Sequence, residues 1–211
     1  MEILYSDRDI LVALKPAFIS SETPPQGAGM PELLREECGC DIFPVHRLDL
    51  PARGLMVFAK NTRAAAFLSK EIAEKRFSKE YLAAVYGAPE ERGVFEDLLF
   101  RDSKKNKSYV VKRERCGVKK AALEYELLKS TKQGQKTLSL VRVRLITGRT
   151  HQIRVQFASR KMPLMGDGKY GAADNLPLHL QSVRLGFRHP ASGERLLFEA
   201  PTDGELFGKF L

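Results

Sequence analysis

The chain has 211 residues, which is enough for one sizeable hydrophobic core. Its composition, 43% hydrophobic and 29% charged, is that of a globular protein and excludes an intrinsically disordered chain. The 35 Lys and Arg outnumber the 26 Asp and Glu by nine, and this positive charge indicates a polyanion as a partner.

The sequence also carries information about the compartment. The first residues, "MEILYSDRDILVAL", have neither the basic start nor the cleavage site of a signal peptide, and no apolar run is long enough to span a bilayer. Cys38, Cys40 and Cys116 are odd in number and form no disulfide framework. We therefore expect a protein of the reducing cytoplasm, with no membrane partner.

Six apolar runs predict β-strands. In the fourth run, Val141, Val143 and Leu145 alternate with two arginines, which is the period of a half-buried strand. The runs begin, in chain order, at Ile10, Gly54, Lys79, Thr137, Leu178 and Arg195.

Three segments predict helices. Residues 31–38 begin with a proline and are followed by Gly39, whereas residues 62–75 have an apolar face and Asn61 as an N-cap. The third helix is predicted over residues 151–161. Residues 23–31 and 162–171 are rich in Pro and Gly and are predicted to be loops. With no repeat and no long linker, we expect a single α+β domain over residues 1–211 with a mainly antiparallel sheet.

The positive charge is concentrated in two segments. Residues 101–120 contain nine basic and two acidic residues, a net +7, and residues 142–161 contain six basic residues and no acidic one. Clustering of this kind suits binding to RNA or DNA phosphates. A solvated basic face that serves solubility is the alternative interpretation, and charge alone does not decide between the two.

Two sequence patterns could indicate a cofactor or metal site, but the neighbouring residues or the spacing do not support either. "GDGKYG" at 166–171 matches G-x-G-x-x-G, but no strand precedes it and Pro177 interrupts any following helix. Cys38, Cys40, His46 and Cys116 are poorly spaced for zinc. The sequence therefore predicts neither a nucleotide cofactor nor a metal site.

Two segments remain as candidates for chemistry, "HRLDLPARG" at 46–54 and "TGRTHQIR" at 147–154. The first contains Asp49, a lone carboxylate in an apolar run. Ion-pair networks also place carboxylates in cores, so a structural ion pair and a catalytic carboxylate are both open at this point.

Four motifs in order resemble those of the RluA-type family of RNA pseudouridine synthases: "HRLDLPARGLMVFAKN", "RFSKEYLAAVYG", "TGRTHQIRVQFA" and "MPLMGDGKYG". The similarity extends from Ile10 to about Pro201. Ala52-Arg53 stands where many members have Thr-Ser, and Gln156 stands where many have His, which puts the target RNA in doubt more than the reaction. The resemblance implies a mixed, mainly antiparallel sheet around a central basic cleft with flanking helices, here without the S4-type RNA-binding domain of many relatives.

The resemblance also implies roles for individual residues. Asp49 would be the catalytic carboxylate, attacking C1′ or abstracting the C2′ proton of the uridine, and Arg154 would pair with it. Tyr81 would stack on the flipped base and help proton transfer, and Arg47 would fill the vacated space. The reaction needs no ATP, metal or organic cofactor. Further contacts to RNA are predicted for His46, Arg149, His151, Gln152, Lys104, Lys105 and Lys107, the lysines on a hairpin or loop beside the cleft.

Two other functions remain open from the sequence. One is an RNA-binding module of the same fold that has lost activity, which intact Asp49, Tyr81 and Arg154 argue against. The other is a DNA-binding protein or nuclease, but a metal-dependent nuclease needs clustered carboxylates, and the next acidic residue after Asp49 is Glu71. We expect a monomeric RNA isomerase acting on ribosomal or transfer RNA.

Overall fold

The computed structural model describes residues 2–210. Among these residues, no helix is both long and apolar enough to cross a membrane. Short 3₁₀ turns lie at Gly168–Tyr170 and Gly208–Phe210. The helices and strands are, in chain order, β1 (Ile3–Ser6), β2 (Ile10–Lys15), α1 (Met30–Cys38), β3 (Phe43–Pro44), β4 (Arg53–Ala59), α2 (Thr62–Ala73), β5 (Ser78–Tyr86), β6 (Arg92–Asp102), β7 (Lys107–Val111), β8 (Val118–Gln133), β9 (Lys136–Leu145), α3 (Gln152–Ser159), β10 (Leu180–Arg188), β11 (Arg195–Glu199) and α4 (Gly204–Phe207).

Contacts within the chain divide it into two compact units. The first contains the residues up to Lys79 together with Gln181–Pro201, and the second contains Glu80–Leu180 together with the residues from Thr202 onward. The chain therefore passes from one unit to the other within β5 and again within β10. The single catalytic domain expected from the sequence stays a prediction.

The first unit is built on strands in the order β1-β2-β4-β10, with β3 beside β4 and β11 beside β10. The pairs are antiparallel except that β10 runs parallel to β4, where Gln181 lies opposite Arg53. Apolar side chains of β2, β4 and β10 pack with α2 in one core, and the rings of Phe77 and Phe187 stack at 5.2 Å. This core supports the segment that carries Asp49.

The second unit has the strand order β5-β9-β8-β6-β7, and each pair is antiparallel. Helix α3 packs on one face of these strands, where the rings of Phe95, Tyr125 and Phe157 lie 4.8–5.5 Å apart. The predicted α+β class with a mixed, mainly antiparallel sheet is confirmed. Helix α3 and the β6–β7 hairpin bring the predicted arginine motif and the basic segment into this unit.

Most predicted elements occur close to their expected bounds. Helix α2 begins after Asn61, whose side chain accepts a hydrogen bond from the Ala64 N–H at 2.8 Å, and α1 ends at Gly39 with φ 65°. Helix α3 is shorter than predicted at both ends, since it spans Gln152–Ser159 and His151 and Lys161 have left-handed φ values of 54° and 62°. Helix α1 begins at Met30, inside the predicted loop. Strands β1, β3 and β6 were not predicted, since β1 and β3 have only four and two residues and charged residues interrupt the apolar pattern of β6.

Candidate active site

Asp49 lies in a tight turn between β3 and β4. The Ala52 N–H donates a hydrogen bond to the Asp49 carbonyl at 2.9 Å, which closes the turn. On the other side, the buried Leu48 backbone is held by Ser21, whose hydroxyl donates to the Leu48 carbonyl and accepts from its N–H. The backbone is therefore fixed on both sides of the carboxylate.

Lys15 at the end of β2 is a charged residue near Asp49 that the sequence did not predict. Its side chain is fully buried, and its ammonium donates hydrogen bonds to the carbonyls of Pro16, Ile19 and Leu50 at 2.7, 2.8 and 3.2 Å. Burial lowers the pKa of Lys15 to about 8, while the charge of Asp49 raises it and that of Arg53 lowers it. Lys15 thus holds the Asp49 turn and brings a positive charge near the carboxylate.

The start of β4 requires a glycine. Gly54 has φ 110°, and a Cβ at this position would lie 2.2 Å from the carbonyl oxygen of Ser182 on β10. Only glycine tolerates both the left-handed backbone and this close approach. The apolar strand after the Asp49 turn is therefore held directly against its parallel neighbour.

Arg47, two residues before Asp49, is half-exposed. Its guanidinium donates a hydrogen bond to the carboxylate of Glu22 at 3.1 Å, and both side chains are about half in solvent. Exposed pairs of this kind contribute at most about 1 kcal/mol to stability. Release of Arg47 from Glu22, so that it can fill the space vacated by the flipped base as predicted, would therefore cost little free energy.

His46 is held inside the first unit. Its Nε2 accepts a hydrogen bond from the Val57 N–H at 3.1 Å, and its ring lies 5.5 Å from that of Phe77. Burial and, to a smaller extent, the charge of Lys79 lower the pKa of His46 to about 3. The imidazole is therefore neutral at pH 7 with its proton on Nδ1, which is buried and has no hydrogen-bond partner within residues 2–210. Its contact with RNA stays a prediction.

Arg154 forms a buried bidentate ion pair within the second unit. Its Nε and Nη2 donate to the two carboxylate oxygens of Asp167 at 2.7 and 2.8 Å, and its guanidinium carbon lies 5.2 Å from the Tyr170 ring. The arginine is 5% and the aspartate 1% exposed. The pairing of Arg154 with Asp49 stays a prediction.

The sequence pattern did not single out Asp167 as the partner of Arg154. The only signal was that Asp167 lies between the first two glycines of "GDGKYG", a segment that the sequence predicts to be a loop. In the structure, the loop places Asp167 against α3, and the Asp167 carbonyl accepts the N–H of Tyr170 at 3.0 Å. The glycine-rich motif therefore supplies the counter-charge of a predicted catalytic arginine.

Tyr81 lies on β5, in the second unit. It is directly opposite Val143 of β9, which is in turn opposite Tyr125 of β8, so the three side chains share one face. That face is the one that α3 covers, and Tyr81 is only 5% exposed. Its role in stacking on the target base stays a prediction.

The other residues of the arginine motif have different environments. The amide of Gln152 accepts from the Thr147 hydroxyl and the Arg149 N–H, and donates to the Ala122 carbonyl, at 2.8–3.0 Å. These bonds fix the turn before α3. Arg149 is exposed, and its Nε donates to the Lys120 carbonyl at 3.0 Å. The RNA contacts proposed for Gln152 and Arg149 stay predictions.

Tyr170 connects the glycine-rich loop to the β6–β7 hairpin. Its hydroxyl accepts the Ser108 N–H at 2.8 Å and lies 3.0 Å from Nδ1 of His151. The ammonium of Lys169 donates to the Asn106 carbonyl at 3.1 Å, at the hairpin turn. The left-handed backbone of His151 therefore belongs to a cluster that fixes the hairpin, the loop and the start of α3 together.

The predicted hairpin is present, with Asp102 opposite Lys107 and a turn between them. Lys104 and Lys105 are exposed in the turn, and the Lys107 ammonium lies 5.1 Å from the Tyr170 ring. A turn of this kind presents basic side chains on a structured element.

Gln156, the second departure from the family pattern, is fully buried on α3. Its Nε2 donates to the Asp97 carboxylate at 2.7 Å and to the Phe95 carbonyl at 3.2 Å.

No group of three His, Cys, Asp or Glu side chains that could hold a metal ion occurs among residues 2–210.

The comparisons with known proteins decide the family. The model of the RNA pseudouridylate synthase family matches residues 9–159. The chain belongs to this family. It is 31% identical to ribosomal large subunit pseudouridine synthase D of Vibrio parahaemolyticus, over 98% of this chain and 68% of that protein. It is 29% identical to tRNA pseudouridine synthase C of the same organism, over 100% of this chain and 95% of that protein.

A solved structure agrees on the fold. Human RNA pseudouridylate synthase domain containing 1 superposes with a TM-score of 0.81 and 24% identity, over 98% of this chain and 85% of that one. The resemblance drawn from four motifs is confirmed, and the chain is an RNA pseudouridine synthase, which is an isomerase.

Proposed function

We propose that this RNA pseudouridine synthase isomerises a specific uridine in structured ribosomal or transfer RNA, with Asp49 as nucleophile or base. The observation that carries the proposal is the Asp49 turn, which Ser21 holds from one side and Lys15 from the other. A rigid turn supplies the positioning that a nucleophile or base needs. The names of relatives that act on ribosomal RNA or tRNA support both substrate classes.

The reaction is an isomerisation and therefore needs no external reactant. The N1–C1′ bond of the uridine breaks, the uracil rotates, and a C5–C1′ bond forms while the C5 proton is lost and N1 gains one. A carboxylate can assist by attacking C1′, or by removing the C2′ proton to give a glycal. Both routes develop positive charge on the ribose, as in glycoside hydrolysis, so an anionic Asp49 suits either.

Arg154 is proposed as the partner of Asp49. Its bidentate pair with Asp167 fixes the guanidinium plane, which favours a defined geometry toward a second carboxylate. Lys15 adds a positive charge on the Asp49 side. Two cations around the carboxylate would stabilise the negative charge that the nucleophile or base must carry.

The uridine must leave the RNA stack to reach Asp49. We assign to Tyr81 the stacking on the flipped base and to Arg47 the filling of the gap. Contacts to the RNA backbone are assigned to His46, Arg149, His151, Gln152, Lys104, Lys105 and Lys107. We also propose that the protein acts as a monomer in the cytoplasm and needs no metal or organic cofactor.

The test is a map of pseudouridine across total RNA from cells with and without the gene. We expect one or a few uridines of ribosomal or transfer RNA to lose the modification in the deletion strain and to regain it with the wild-type protein. An Asp49→Asn protein at equal abundance should restore none of them. An unchanged map in the deletion strain would instead favour the inactive RNA-binding module.

A further inference from the structure

A cavity of about 470 Å³ lies beside the β6–β8 pair in the second unit. Leu98 of β6 is opposite Lys120 of β8, and Phe100 is opposite Val118, so these four side chains share one face of the strands. Leu99 and Ala121, each adjacent in sequence to one of these residues, point the other way, toward Val155 of α3. The cavity is therefore on the strand face that α3 does not cover. Its lining is Leu98, Glu114, Arg115, Val118 and Lys120.

The lining combines an apolar floor with charged walls. Leu98 and Val118 supply the floor, while the exposed segment between β7 and β8 brings Glu114 and Arg115 over it. The volume is within the range of about 300–1,000 Å³ that is typical of small-ligand sites. Three of the five lining residues are charged, which suits a ligand that carries both an apolar ring and a phosphate.

Arg115 is held as a flat wall of the cavity. Its guanidinium carbon lies 4.7 Å from the centre of the Phe100 ring, a cation–π distance. Gly117 has φ 81°, and a Cβ there would lie 3.6 Å from the same ring, so the segment turns closely over Phe100. A guanidinium plane fixed in this way is a stacking surface for an unpaired base, as Arg side chains are in many RNA complexes.

The two remaining polar groups are complementary to a nucleotide. Lys120 and Glu114 form a loose pair, with Nζ and Oε1 3.6 Å apart and both side chains largely exposed. A phosphate can take the place of Glu114 at Lys120, and the released carboxylate can then accept a hydrogen bond from a base. The backbone carbonyl of Lys120 also accepts from Arg149, so the cavity adjoins an arginine of the family motif.

We propose that this cavity binds one unpaired nucleotide of the substrate RNA, whose base carries an exocyclic amino group. The base lies on Leu98 and Val118 and stacks on Arg115, Glu114 accepts from the amino group, and Lys120 contacts the phosphate. Carboxylates accept hydrogen bonds from the amino group of cytosine, whereas the same edge of uracil carries a carbonyl oxygen that a carboxylate repels. The inference rests on RNA as the substrate and extends it to a second base, outside the Asp49 turn.

Labelled eight-nucleotide oligo-C and oligo-U are the matched probes, since both are pyrimidines of equal charge. Fluorescence anisotropy should show that wild-type protein binds oligo-C several-fold more tightly. Arg115→Ala should weaken oligo-C binding by about 5- to 100-fold, because stacking on one base is lost. Arg92→Ala is the control, since Arg92 is another exposed arginine of the second unit, on β6, and pairs with Glu126. It should change affinity by about twofold or less, the effect of one screened charge.

Glu114→Gln is the second variant, and it tests base selection without loss of the stacking surface. Glutamine both donates and accepts hydrogen bonds, so the preference for oligo-C should disappear while oligo-U binds at least as tightly as before. Equal wild-type affinity for the two probes, or equal losses for Arg115→Ala and Arg92→Ala, would overturn the proposal.

Pseudouridine formation is measured on the same preparations and separates this proposal from the proposed function. Protein that makes pseudouridine but shows no oligo-C preference would reject the cavity as a nucleotide site and leave the function standing. If the protein passes both binding tests but makes no pseudouridine, the proposed function is rejected and the nucleotide site is kept.

Discussion

The ammonium of Lys15 donates a hydrogen bond to the carbonyl of Leu50, the residue that directly follows Asp49. Through this contact the end of β2 and the Asp49 turn are joined by a fully buried charge. A buried ammonium costs free energy unless its donors are satisfied, and here three carbonyls satisfy them. The position of the carboxylate and the protonation of Lys15 are therefore linked.

Lys15 makes stability depend on pH in the alkaline range. Its pKa falls from 10.5 to about 8 on folding, so between these values the unfolded chain binds more protons than the folded one. The contribution of Lys15 to stability is therefore fully present above pH 10.5 and is lost as the pH falls toward 8. Relative to Lys15→Met, the wild type should gain about 2 kcal/mol in free energy of unfolding from pH 8 to pH 10.

Urea unfolding of both proteins at the two pH values measures this difference. Lys70→Met, at an exposed position of α2, is the control and should follow the wild type at both pH values. A constant gap between wild type and Lys15→Met would contradict a titrating, buried Lys15.

The Arg154–Asp167 pair should be essential for stability as well as for turnover. Removal of one partner of a buried ion pair typically costs about 3–5 kcal/mol, so Arg154→Ala and Asp167→Asn should each lower the melting temperature strongly. The exposed pair Arg184–Glu199 is the control, and Glu199→Gln should cost less than about 1 kcal/mol. Unchanged melting temperature and activity in Asp167→Asn would show that the pair does not position Arg154.

Tyr170→Phe tests whether the hydroxyl holds the hairpin. The variant keeps the ring beside Arg154 but removes the acceptor for the Ser108 N–H. Loss of one hydrogen bond of about 1 kcal/mol should accelerate hydrogen exchange at the Ser108 amide about fivefold. Tyr109→Phe, on the same hairpin, is the matched control and should leave that amide unchanged. Equal hydrogen-exchange rates of the Ser108 amide in Tyr170→Phe and Tyr109→Phe would show that the Tyr170 hydroxyl does not hold the hairpin.

The sequence predicted much of the fold, because local signals were strong where tertiary contacts agreed with them. Asn61 and Gly39 marked helix boundaries correctly, since each carries its own capping chemistry. Strand β6 was missed because its pairing with β7 and β8 decides its conformation, and Glu96 and Asp97 interrupt its apolar pattern. The start of α3 was misplaced because His151 is held in a left-handed conformation at the Tyr170 cluster.

The sequence predicted only some of the residues of the candidate site. Asp49 and Arg154 were found as parts of continuous segments, whereas Lys15 and Asp167 act through contacts with residues 35 and 13 positions away. A lysine at the end of an apolar strand and an aspartate between two glycines are weak signals by themselves. The cavity at Arg115 was likewise hidden, because it depends on the register of β6 with β8.

The exposed lysines of the hairpin turn should contribute to RNA affinity through charge alone. Each phosphate neutralised on a single strand adds about 0.7 to the slope of log affinity against log salt concentration. Replacement of Lys104, Lys105 and Lys107 by Ser should therefore flatten this slope by up to about two units. Turnover at saturating RNA should be nearly unchanged. A wild-type slope in the triple variant would show that these lysines are a solvated face.

The most direct test of the central claim is pseudouridine formation by Asp49→Asn on an RNA that the wild type modifies. The substitution keeps the shape of the side chain and removes the nucleophile or base, so single-turnover rates should fall to background. RNA affinity should stay close to that of the wild type and the protein should stay folded, since Ser21 and Lys15 hold the turn through backbone groups. Pseudouridine formation by Asp49→Asn at as much as a tenth of the wild-type rate would contradict a catalytic Asp49.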